Sequence, residues 1–68
     1  MEEKTLGMRL REFRETAGIS QIELALHTNL SQQSISLWEK DLRIPNIQAC
    51  IALADYYGIS LDELVGRN

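Results

Sequence analysis

Residues 20–45 read SQIELALHTNLSQQSISLWEKDLRIP, and this stretch constrains the fold more than any other. It holds two short helical patterns, each opened by Ser-Gln, with only Thr28-Asn29-Leu30 between them. Ser20 with Glu23 forms an S-x-x-E capping box, which occupies two otherwise free N–H groups and fixes where the first of these helices begins, running to about His27. Asn29 is, after glycine, the residue that best accepts positive φ, so it supplies the reversal. Leu30 then returns to the core, and Ser31 caps the second helix. On that helix Ile35 and Trp38 form the inner face, while Gln32, Gln33, Ser36 and Leu37 turn outward.

The flanking sequence follows the same logic. Leu6, Leu10, Phe13 and Ala17 recur at helical spacing, so residues 4–16 read as an amphipathic helix stopped by Gly18 in the left-handed region. Residues 41–46 are a loop broken by Pro45, and Asn46 caps a fourth helix whose core stripe is read as Ile47, Ile51 and Ala54. Gly58 ends it. Ser60 with Glu63 is a second capping box, launching a short fifth helix with Leu61, Leu64 and Val65. No stretch alternates with period two. The expectation is an all-α fold, a compact five-helix bundle with a helix-turn-helix, forming a single domain over residues 1–68 with its core in 5–66.

Sixty-eight residues leave no room for a catalytic cleft between subdomains. Cys50 is the only cysteine and His27 the only histidine, which removes an internal disulfide and a Cys/His zinc site, so no metal or cofactor is expected. Cys50 is read as a small buried hydrophobe, Phe13 and Trp38 as core aromatics, and His27 as a solvent-facing residue at the negative pole of its helix. No nucleophile-base pair or Gly-rich phosphate loop is present, so the chain is not read as an enzyme. No apolar run is long enough to span a membrane, and Met1-Glu2-Glu3 is unlike a secretory leader, which places the chain in the cytoplasm.

The outward face of the third helix carries no charge between Gln32 and Leu37. A glutamine amide donates and accepts together, so it can pair bidentately with adenine in a DNA major groove, worth about 1–3 kcal/mol of discrimination. Helix N-termini at Ser20, Ser31 and Asn46 offer N–H groups and a partial positive charge to phosphates. The net charge of −3 runs against this, but its distribution matters more than its sum. Lys4, Arg9, Arg11 and Arg14 load the first helix, and acidic Asp55, Asp62 and Glu63 lie in the last third.

Taken together, LREFRETAGISQIELA, SQQSISLWEKDLRIP and YYGISLDELV resemble the phage-repressor/Cro-like, or Xre-type, helix-turn-helix domains. The likeness covers Leu6 to Val65 and rests on the joint spacing of Arg14, Gly18, Ser20-Gln21, Ala25, Ser31, Ile35, Trp38-Glu39 and Pro45. It implies base reading by Gln32, Gln33, Ser36 and Leu37, and phosphate binding by Gln21, Ser31, Ser34, Lys40 and Arg43. It also implies a structural ion pair between Arg14 and Glu39. The implied partner is double-stranded DNA with a palindromic operator, bound by a homodimer that acts as a repressor, with no small-molecule substrate. Leu61, Leu64 and Val65 are read either as closing the core or as a dimer contact. Asn29 and Asp41 stand where the family usually has glycine, Asp41 beside the implied phosphate path. Ile22, Leu26 and Leu37 are apolar where it is usually polar. These surface positions and the acidic balance motivate an alternative: the same fold used as a protein-interaction module, such as an antitoxin or anti-repressor with a protein partner.

Overall fold

In the computed structural model, which describes residues 3–67, the chain forms five helices: α1 (Leu6–Thr16), α2 (Gln21–Thr28), α3 (Gln32–Glu39), α4 (Ile47–Tyr57) and α5 (Leu61–Val65). There is no strand among the described residues. Met1 and Glu2, which bore on the localisation expectation, lie outside them. Each helix starts at a short polar residue whose side chain accepts from the third N–H of the helix: Thr5, Ser20, Ser31, Asn46 and Ser60. Both capping boxes close reciprocally, Glu23 back to the Ser20 N–H at 3.0 Å and Glu63 to the Ser60 N–H at 3.1 Å. Asn29 takes φ of +59°, and its N–H bonds to the Ala25 carbonyl, which ends α2 and turns the chain into α3.

The core is built from Leu10, Leu24, Ile35, Trp38, Ala49, Cys50, Leu53, Ala54 and Leu64, with Leu6, Phe13, Ile19, Ala25, Leu30 and both tyrosines packed around it. α1 packs chiefly on α3, α2 bridges α3 and α4, and α5 closes against α4 and α1. Phe13 stacks on Tyr57 at 5.5 Å, and Tyr57 meets Tyr56 edge-on at 5.2 Å, geometries that aromatic pairs favour.

Three expectations need correcting, and the two readings of α5 are narrowed to one. α1 begins at Leu6, because the Thr5 side chain accepts from the Met8 N–H and caps the helix there; Lys4 precedes it. Ala17 is exposed beyond the end of α1, and Leu6 and Phe13 are only half-buried. Ile47 and Ile51 do not face the core: they remain 63% and 44% exposed, while Ala49, Cys50, Leu53 and Ala54 are buried. Small residues on the inner face let α4 approach closely, and that closeness outweighs burial of the two larger isoleucines. Leu64 is fully buried, whereas Leu61 and Val65 stay 37% and 40% exposed, so α5 closes the core and Leu64 is unavailable to a partner.

Candidate nucleic-acid interface

The α2–turn–α3 unit is fixed from beneath by Arg14 and Glu39. Arg14 Nε and Nη2 donate to the two Glu39 carboxylate oxygens at 2.7 and 3.0 Å, and Nη1 donates to the Ile19 carbonyl at 2.9 Å. The side chains are only 13% and 4% exposed. This two-pronged contact pushes the Arg14 pKa up from its ordinary value, mainly through the hydrogen bonds to Glu39. One arginine thus ties α1, the connection into α2, and the last residue of α3.

The pair reaches the surface through a chain of amides. Gln21 Nε2 donates to Glu39 Oε1 at 3.1 Å, and Gln32 Nε2 donates to Gln21 Oε1 at 2.9 Å. Gln21 sits in the first turn of α2 and Gln32 in the first turn of α3, so the amide bridge spans the two helices across the turn. Gln32 is exposed yet held in one orientation. Gln33, beside it, is exposed with no side-chain hydrogen bond among the described residues, and is free to meet a ligand. Ser36 and Leu37 are half-buried and lie deeper than expected.

The three helix N-termini differ in what they can offer an anion. Glu23 in the capping box already sets a carboxylate at the start of α2, whereas α3 and α4 have no acidic residue in their first turns. At α3, Ser31 Oγ accepts from the Ser34 N–H at 3.0 Å and donates to Ser34 Oγ at 2.7 Å, which leaves the Ser34 hydroxyl proton free to donate outward. The cations of α1 and of the residue before its cap are engaged: Lys4 on Glu12, Arg11 on Glu15, Arg14 on Glu39, and Arg9 on the Glu63 and Leu64 carbonyls. Lys40 and Arg43, at the end of α3 and in the loop after it, are exposed and have no carboxylate partner among the described residues.

A helix-turn-helix family profile matches residues 10–64 of this chain. The chain belongs to the helix-turn-helix family. It is 36% identical over 64 residues to the HTH-type transcriptional regulator ImmR of Bacillus subtilis (strain 168), covering 94% of this chain and 50% of that protein. It therefore spans about half the length of this curated relative. Its fold is similar to the P22 c2 repressor solved with the synthetic operator 9T, with TM-score 0.87, 29% identity, and coverage of 97% of this chain and 100% of that one. It is also similar to the restriction-modification controller protein C.AhdI of Aeromonas hydrophila, with TM-score 0.81, 32% identity, and coverage of 87% and 89%.

Two features of this helix-turn-helix domain escape a reading of its sequence. Asp41, with φ of +59°, turns its carboxylate onto the start of α1: Oδ1 accepts the Gly7 N–H at 2.8 Å and Oδ2 accepts the Thr5 hydroxyl at 2.6 Å. Its charge is spent on an N-terminal helix pole, so the expected anion beside the phosphate path is a structural cap instead. The second feature is the His27 Nδ1–Tyr56 hydroxyl contact at 3.0 Å, which joins the end of α2 to α4, although His27 remains exposed as expected. Both depend on residues far apart in the chain, so no local pattern signals them. Cys50 is buried, and burial pushes its thiol pKa up, away from the reactive thiolate.

Proposed function

We propose that this domain binds double-stranded DNA in a sequence-specific manner as a cytoplasmic transcriptional regulator, acting as a repressor from a palindromic operator. α3 enters the major groove with Gln32 and Gln33 against base edges and with Ser36 and Leu37 against sugar or thymine methyl groups. Gln21, Ser31, Ser34, Lys40 and Arg43 hold the phosphates on either side, helped by the unencumbered N-terminus of α3. Two copies on one operator set their recognition helices about 34 Å apart, one turn of DNA.

The observation that carries this reading is the oriented amide pair. Gln32 is locked by Gln21, and Gln21 by the buried Glu39, while Gln33 stands free next to them. A fixed amide presents a defined donor and acceptor, and so discriminates among bases more than a freely rotating one. The reading also draws on the relatives, a repressor in complex with a synthetic operator among them.

The test is selection of bound sites from random duplex DNA, followed by Gln32→Ala and Gln33→Ala, each on the selected site. Binding is expected to fall about 5- to 150-fold at particular base pairs, with little change in melting temperature. Equal loss on every duplex, or no enrichment of any sequence, removes base reading.

A further inference from the structure

A glutamine amide has an oxygen that accepts and a nitrogen that donates, nearly equal in size, so its neighbours decide which end points where. On this face the decision starts at Glu39. Both of its carboxylate oxygens accept from Arg14, Oε2 from Nε at 2.7 Å and Oε1 from Nη2 at 3.0 Å, so neither has a proton to give. A group that meets Oε1 from α2 must therefore donate, and Gln21 does so with Nε2 at 3.1 Å. That turns Gln21 Oε1 toward α3, where only a donor fits it, and Gln32 supplies Nε2 at 2.9 Å. Gln32 is left with Oε1 and its second Nε2–H, in an order that its own exposed position does not fix.

That order matters to a base. Adenine shows N7, an acceptor, beside N6, a donor, along its major-groove edge. An amide with its two ends exchanged sets oxygen against N7 and N–H against N6, and both contacts turn repulsive. In this chain the exchange also puts two oxygens, or two N–H groups, face to face between Glu39 and Gln32. A polar group left unpaired in this way disfavours the exchanged order by about 5- to 150-fold. We infer that Glu39, buried beneath the interface, is a positioning residue: its carboxylate dictates the order of donor and acceptor that Gln32 presents, and so limits Gln32 to adenine in one orientation. Gln33, with no side-chain hydrogen bond among the described residues, lies outside this control. The order itself stands on the hydrogen bonds alone; the choice of adenine rests on the DNA reading.

Glu39→Gln keeps the volume of the side chain and one acceptor for Arg14, but its amide can turn either end to Gln21, which releases the order. Trans-hydrogen-bond NMR couplings in the free chain read the order directly. The wild type is expected to couple Gln32 Nε2 to Gln21 Cδ, and in Glu39→Gln that coupling is expected to fall by about half as two orders share the population. On the duplex that the wild type selects, Gln32→Ala identifies the base pair under Gln32. Exchanging that pair is expected to weaken wild-type binding about 5- to 150-fold, and Glu39→Gln binding less than about fivefold, with the penalty at the pair under Gln33 unchanged. Gln21→Met leaves the Arg14–Glu39 bonds in place and so keeps the fold where Glu39→Gln does not. It is expected to shrink the same penalty while weakening binding to every duplex, since it also removes a phosphate contact.

A wild type without the coupling, a folded Glu39→Gln chain that retains it in full, or a preference under Gln32 that survives in both Glu39→Gln and Gln21→Met overturns the inference. Even loss on every duplex with that preference kept does the same, because Glu39 would then be a structural residue only. If no duplex is selected but the coupling falls in Glu39→Gln, the order set by Glu39 stands and the DNA reading is removed. A selected duplex whose preference under Gln32 is indifferent to Glu39 does the reverse.

Discussion

Replacing Glu39 by leucine strands the Arg14 guanidinium. In the native fold that guanidinium is 13% exposed and makes two of its three hydrogen bonds to the Glu39 carboxylate. Removing one member of a buried ion pair costs about 3–5 kcal/mol, and Gln21 loses an acceptor as well. A domain of this size has a total stability of roughly 3–10 kcal/mol, so Glu39→Leu is expected to leave a large unfolded population at 25 °C. At about 4–8 °C per kcal/mol, the melting temperature drops by at least about 12 °C. Arg14→Met strands the carboxylate instead and should cost a similar amount. The double variant removes both charges and leaves apolar side chains in their place, so it should be more stable than either single variant. Urea unfolding followed by circular dichroism across the four proteins measures the coupling. Losses below about 1 kcal/mol in the single variants, or a double variant that loses their sum, would refute the picture of one desolvated pair holding three helices.

Asp41→Ala removes a two-oxygen cap and puts alanine at φ of +59°, so stability should fall by about 2 kcal/mol, whereas Asp41→Asn, which tolerates that backbone, should lose less. Gly7→Ala is expected to cost about 1–3 kcal/mol or more, because a Cβ there would lie 2.5 Å from the Trp38 carbonyl oxygen, and chemical denaturation reads the loss. The Tyr57 hydroxyl is buried without a hydrogen-bond partner among the described residues, so Tyr57→Phe should raise stability by about 1 kcal/mol at neutral pH. Burial pushes the Tyr57 pKa up to about 12, so the neutral phenol favours the folded state below pH 10; that contribution disappears as pH climbs toward 12, and the unfolding midpoint of Tyr57→Phe should fall less over this range. On the proposed reading, in which Lys40 and Arg43 face phosphates, log affinity against log salt should slope by about −2 per bound copy in a fluorescence-anisotropy titration, and a much steeper slope would mean further cations take part.

Those features of the fold that depend on neighbours in sequence are legible from it. Ser20, Ser31, Asn46 and Ser60 each cap the helix expected of them, and Asn29 takes the left-handed turn, because a cap or a turn is decided within four residues. Thr5 is harder to recognise, because its hydroxyl is held by Asp41, thirty-six positions away. α4 is misread for a different reason. Its sequence is apolar on more than one face, so Ile47–Ile51 and Ala49–Cys50–Leu53–Ala54 both satisfy a helical period. Periodicity ranks faces by hydrophobicity, whereas packing selects the face that allows the closest approach, and here that face carries the smaller residues.

The interface divides along the same line. The exposure of Gln32 and Gln33 follows from their place after the Ser31 cap, a local property. Which of the two is held depends on the angle between α2 and α3, since Gln21 and Gln32 meet only when the turn brings their first turns together. The charge problem is resolved by the fold as well. An acidic chain can present a phosphate-compatible face because six of its carboxylates are placed on its own cations and helix poles: Glu12 on Lys4, Glu15 and Glu39 on the arginines of α1, Asp41 at the start of α1, and Glu23 and Glu63 in capping boxes. What remains beside α3 is an uncharged amide pair, a helix N-terminus free of carboxylate, and two unpaired cations. At physiological salt the Debye length is about 8 Å, so a phosphate at this face responds to those nearest groups more than to the net charge of the domain.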